Sequence, residues 1–159
     1  MMSVSSIDSE TLKQIRANAE LVMKHSQEFV DFKFGYSKES IQWLEGHIEH
    51  LRLTNGFDAQ HSKFVSIFGS YLGEAIIHNY GGYWSTDDKG LGIQFSGENV
   101  AYPFVKTEKQ MLNGLEDSIL SFFNVLPMLS SGELSNQVHK AKLEDSKIPW
   151  WKSLFGINK

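Results

Sequence analysis

The period of the apolar residues changes from helical to two at Gly81-Gly82, and the change sets the order in which the first helices and the sheet are laid down. Upstream, Phe64, Ile67, Phe68, Tyr71, Leu72, Ala75 and Ile76 recur every three or four residues, the spacing that gathers side chains on one helix face. Downstream the period becomes two, and Tyr83 to Thr86, Leu91 to Phe95 and Val100 to Val105 read as strands. They are separated by Asp87-Asp88-Lys89-Gly90 and Ser96-Gly97-Glu98-Asn99, both rich in turn formers. Glycine accepts the left-handed backbone that closes a helix, so the expected order is helix, tight corner, antiparallel meander. Pro103 has no N–H to give a ladder, which places the third strand at an edge or a bulge.

Two helices are expected before this point. Asp8 has the position of an N-cap, with Ile7 and Leu12 placed to form a hydrophobic staple, and the stripe Leu12, Ile15, Ala19, Val22, Met23, Phe29, Val30 carries a helix to near Phe32. Ser37, flanked by Tyr36 and Ile41, repeats the device for a helix through Leu44, Ile48 and Leu51, stopped by Asn55-Gly56. Asp58 is expected to cap the third helix. Beyond Asn113-Gly114, the residues Leu115, Ile119, Phe122, Phe123 and Leu126 predict a last helix that ends near Pro127. The fold class is therefore α+β: an N-terminal three-helix segment, a small antiparallel three-stranded meander, and a C-terminal helix packed on it. Residues 1–129 form the single domain, and residues 130–159 are a polar extension with an aromatic C-terminal segment.

Composition narrows the chemistry. The absence of cysteine excludes disulfides, thiolate zinc sites and cysteine nucleophiles. A formal charge of −4, with Arg16 and Arg52 as the only arginines, argues against a nucleic-acid partner. Met1 to Ser9 lacks the apolar stretch of a signal peptide, and no run approaches the ~20 apolar residues of a spanning helix, so a cytoplasmic protein without stable membrane anchoring is expected. Neither Gly81-Gly82 nor Gly90-Leu91-Gly92 belongs to a phosphate-binding pattern, and no Gly-x-Ser-x-Gly elbow is present, so no cofactor and no serine hydrolase are expected. His47 and His50 lie three apart without a third ligand in register, which does not make a metal site.

The best acid/base candidates are Glu74, at the edge of the third helix's apolar stripe, and His78, one turn later and on the stripe. A cleft holding both within hydrogen-bond reach would mark a small hydrolase or transferase. The alternative is a structural use, with Glu74 bonded to a lysine such as Lys106 or to a backbone amide and His78 a satisfied core residue. Gly69 and Gly73 each cost the helix about 1 kcal/mol against alanine, which points to a second backbone passing close by. Tyr83, Trp84, Tyr102, Trp150, Trp151 and Phe155 are the candidate anchors for a protein partner if they are exposed. The terminal aromatic cluster has three destinations: back on the domain, a partner's groove, or a membrane surface.

Tyr71-Leu72-Gly73-Glu74, then Gly81-Gly82-Tyr83-Trp84, then Lys106, Asn113-Gly114 and Asp117-Ser118 together resemble a family of uncharacterised bacterial domains with a Tyr-Leu-Gly-Glu helix, a Gly-Gly-x-Trp junction and a later Lys…Asn-Gly…Asp-Ser segment. The resemblance spans roughly Tyr36 to Leu129 and implies a fold, with no catalytic residues to carry over. Some similar small bacterial domains look like immunity proteins, which implies a non-enzymatic, cytoplasmic protein-binding role with a toxin as partner. A structural or assembly role is the remaining alternative, and it predicts a homodimer.

Overall fold

Asp8 caps the first helix as its position requires: its Oδ1 accepts the Thr11 N–H at 2.8 Å, and that bond holds its carboxyl below the usual carboxylate range. The computed structural model describes residues 5–54 and 56–130. Helix α1 runs over Ser9–Ser26 and then tightens into a 3-10 turn at Gln27–Phe29 instead of continuing to Phe32. The Gln27 side chain accounts for the early end, because it takes both the Phe32 carbonyl and the Phe34 N–H at 2.8 Å and folds the chain back. Phe29 is left 63% exposed, off the core stripe it was expected to join.

Helix α2, Lys38–Thr54, starts where Ser37 Oγ accepts the Ser40 N–H. Its end at Gly56, with φ of 66°, is the left-handed closure that the sequence predicts; Asn55 lies outside the described residues. Asp58 is not the cap of the next helix. It opens a 3-10 turn, Asp58–Gln60, with a φ of 38°, and helix α3 follows over His61–Tyr80. Gly81, at φ 80°, closes α3 by donating its N–H to the Ile77 carbonyl.

The sheet has four described strands in the order β1-β2-β3-β4, every pairing antiparallel: β1 Ser5–Ser6, β2 Tyr83–Asp87, β3 Gly90–Gln94 and β4 Val100–Ala101. Strand β1 has no two-residue period to betray it and pairs with Thr86 and Ser85 across the outer edge of β2. The expected third strand stops after two residues. Pro103 sits at the first position of helix α4, Pro103–Asn113, where its missing N–H has no helical partner to lose and its fixed φ suits the start. A 3-10 turn, Gly114–Asp117, leads to α5, Ile119–Ser130, with Pro127 inside the helix rather than at its end. Helix α5 packs chiefly on α2, α3 and α4, and it is α3 and α4 that lie against β3, which corrects the expectation of a C-terminal helix on the sheet.

The class is α+β. Its core is built by Ile15, Ala19 and Val22 of α1, Ile41, Leu44 and Ile48 of α2, Tyr71, Leu72, Ala75 and Ile76 of α3, and Ile119, Phe122, Phe123 and Leu126 of α5. Tyr71 is fully buried and its hydroxyl donates to the Gly35 carbonyl at 2.6 Å, so even its polar atom is satisfied. Among the described residues no helix is long and apolar enough to cross a membrane.

A second, polar core ties α2, α4 and the turn before α5. Lys106 and Asp117 form an ion pair at 3.4 Å with side chains only 5% and 9% exposed. Asn113 donates to the other Asp117 oxygen at 2.7 Å, while Gln110 bridges the Glu45 carbonyl and the Ile119 N–H. Ser118 Oγ and the Leu120 N–H both donate to Glu45. Burial pulls the Lys106 ammonium below its ordinary pKa, against the pull of Asp117.

Candidate functional site

Helix α3 can approach the sheet closely because Gly73 carries no side chain. The Trp84 indole from β2 fills that space, and a Cβ at Gly73 would overlap its six-membered ring. Gly69 does the same for the Phe104 ring of α4, whose own ring lies 5.6 Å from that of Trp84. The glycines are therefore kept for close approach, but the expectation of a second backbone is corrected: at both positions the nearest neighbour is an aromatic ring, and only at Gly69 does a backbone atom, the Phe104 Cα, come close as well. Trp84 is 5% exposed, and its indole N–H donates to Glu74 Oε2 at 2.9 Å. The Tyr-Leu-Gly-Glu turn and the Gly-Gly-x-Trp corner thus close on each other: one supplies the space and the acceptor, the other the ring and the donor.

Around that contact lies an open groove of about 490 Å³ between β1, α1, α3 and β2. Ile7, Leu12 and Ile77 form its apolar wall, and Tyr36, His78, Tyr83 and the edge of Trp84 its aromatic rim. Glu74 Oε1 has the Arg16 Nε at 3.6 Å, and the arginine side chain is 63% exposed while that of Glu74 is 15% exposed. The Tyr36 phenol is pushed up to about 12 by burial and by the Glu74 and Glu20 carboxylates, with Arg16 pulling the other way. It stays neutral at any physiological pH.

Glu74 and His78 share this groove, yet no hydrogen bond or ion pair joins them among the described residues. His78 is exposed rather than on the buried stripe, and its ring packs on Tyr36 at a centroid distance of 5.3 Å. Glu74 is held by Trp84 and Arg16, not by Lys106, which is spent on Asp117. Trp84 is buried and is no surface anchor, whereas Tyr83 is 58% exposed on the groove rim. Tyr102 is half-buried and serves the β2–β3 hairpin: its hydroxyl donates to Asp87 Oδ2 at 2.6 Å, and Lys89 sits over its ring. Trp150, Trp151 and Phe155 lie outside the described residues.

His47 stacks on Trp43 with ring centroids 5.0 Å apart, and burial lowers its pKa. Among the described residues no His/Asp/Glu group is placed to hold a metal. Sequence reasoning missed Arg16 and Tyr36. Both stand outside or before the α1 and α2 stripes: the packing of α1 on α3 brings Arg16 to Glu74, and Tyr36, in the loop before α2, is held on α3 by its ring contacts with Tyr71 and His78 and by the Asn79 amide that donates to its carbonyl. The chain matches no family model, no curated protein and no solved structure.

Proposed function

We propose that this chain is a non-enzymatic protein-binding domain, an immunity protein of the bacterial cytoplasm that neutralises a toxin by covering its active site. The observation that carries the reading is the groove beside Trp84: an exposed tyrosine and apolar walls surround a carboxylate that holds the Trp84 indole N–H on one oxygen and has Arg16 at 3.6 Å from the other. An enzyme's general base needs a substrate proton to take, whereas this Glu74 oxygen accepts a buried indole N–H and orients the rim. The net charge of −4 favours a basic partner and speeds its approach. The resemblance to bacterial domains that look like immunity proteins points the same way.

A stable complex needs roughly 1,600 Å² of buried surface, so the interface extends past the groove, with Tyr83 as its anchor. The experiment is co-purification with the product of the adjacent gene, followed by titration of that product's toxic activity. The expected result is one-to-one neutralisation, and Tyr83→Ala should weaken binding by about 2 kcal/mol, roughly 30-fold. Failure to bind, or full-strength binding by Tyr83→Ala, sinks the proposal. The competing reading, a small hydrolase or transferase, is favoured by the shared groove of Glu74 and His78. It requires a turnover that His78→Ala abolishes.

A further inference from the structure

We infer that the groove between β1, α1, α3 and β2 is a receptor for one basic side chain, an arginine, presented by the protein partner. This deepens the binding proposal and rests on it. The groove joins the three features such a side chain needs. Glu74 supplies a carboxylate that is 15% exposed, with one oxygen committed to the Trp84 N–H and the other facing, among the described residues, only Arg16, at 3.6 Å, beyond a normal hydrogen bond. Ile7, Leu12 and Ile77 supply an apolar wall for the methylene stem. Tyr36, His78, Tyr83 and Trp84 supply ring faces and edges, against which a planar guanidinium stacks better than an ammonium.

Charge complementarity selects a cation. Among the described residues Glu74 is the one acidic side chain that lines the groove, and its Oε1 is met by Arg16 only at 3.6 Å. Arg16 itself shows what chemistry the site accepts: a guanidinium held loosely beside Glu74, 63% exposed and tied by one long contact. It acts as a resident substitute that a better-placed arginine displaces. A direct charge-assisted hydrogen bond from the incoming guanidinium to Glu74 Oε1, together with stacking on Tyr83, outcompetes one 3.6 Å contact. The sign of the Arg16 effect is therefore fixed in advance, since removing the substitute opens the site.

The test does not need the partner, so its failure and the failure of the immunity reading are distinguishable. N-acetyl-arginine amide is titrated into the full chain, and the Trp84 indole N–H resonance, assigned through Trp84→Phe, is followed by NMR. N-acetyl-citrulline amide, of the same shape without the charge, is the control. The expected result is a saturable shift with the arginine probe, at least about tenfold weaker with citrulline, because the charge-assisted bonds are lost. Glu74→Gln, which keeps an oxygen for the Trp84 N–H and so spares the fold, should abolish the shift. Arg16→Gln should tighten binding. Equal shifts from both probes, no saturable shift, or weaker binding by Arg16→Gln would overturn the inference, even if the partner still binds elsewhere on the domain.

Discussion

Trp84→Ala is expected to cost about 3 to 5 kcal/mol of folding stability, the range for truncating a large buried aromatic side chain. The indole lies against Gly73, Phe104 and the α3 face at 5% exposure, so its removal opens a cavity under a glycine that cannot fill it. It also strips Glu74 of its buried donor. Trp84→Phe separates the two losses, since it keeps most of the ring and deletes only the N–H, for which a bond to a charged group is worth about 1.5 to 3 kcal/mol. Urea denaturation of the three proteins measures both. A loss below about 1 kcal/mol for Trp84→Ala would place the ring at the surface and undo the description of the corner.

Asp117→Ala is the second large effect. It leaves the Lys106 ammonium buried without its counter-charge, and removing one partner of a buried pair costs about 3 to 5 kcal/mol. Asn113 loses its acceptor in the same step, which adds to the loss. Replacing both members, as Lys106→Met with Asp117→Leu, removes the desolvation cost of two charges together and should recover most of the stability. The pair of measurements separates a polar clamp that only has to be complete from one whose charge is needed for something else. If the double variant folds well yet no longer binds the partner, the clamp has a role in recognition.

The class, the three N-terminal helices and the double-glycine corner were legible because each rests on a local signal: a cap, a stripe, a change of period. Asp8 and Ser37 are caps because their own side chains reach the backbone three residues on, and nothing distant can alter that geometry. Pro103 misled for a local reason too. Val100, Tyr102 and Phe104 keep an alternating pattern across a boundary that the proline's preference for the first helical turn decides. Strand β1 was invisible because two serines carry no hydrophobic period and pair only because β2 offers an edge. The candidate site was half legible. Glu74, His78, Tyr83 and Trp84 do line one groove, but their roles depend on Arg16, which the packing of α1 on α3 brings to Glu74, and on Tyr36, which the loop before α2 lays on α3. His78 faces outward because α3 turns its buried side toward α1, α4 and α5.

Whether the Tyr-Leu-Gly-Glu helix is architecture or chemistry is decided most directly by the sign of one substitution, Gly73→Ala. Helix propensity alone favours the alanine by about 1 kcal/mol. Overpacking against the pinned Trp84 ring opposes it by about 1 to 3 kcal/mol, with the overlap at this position placing it at the upper end. A net destabilisation of about 2 kcal/mol by urea denaturation is the expected result. A stabilised Gly73→Ala would contradict it, since the glycine would then be free of the tryptophan and the groove would have a different floor.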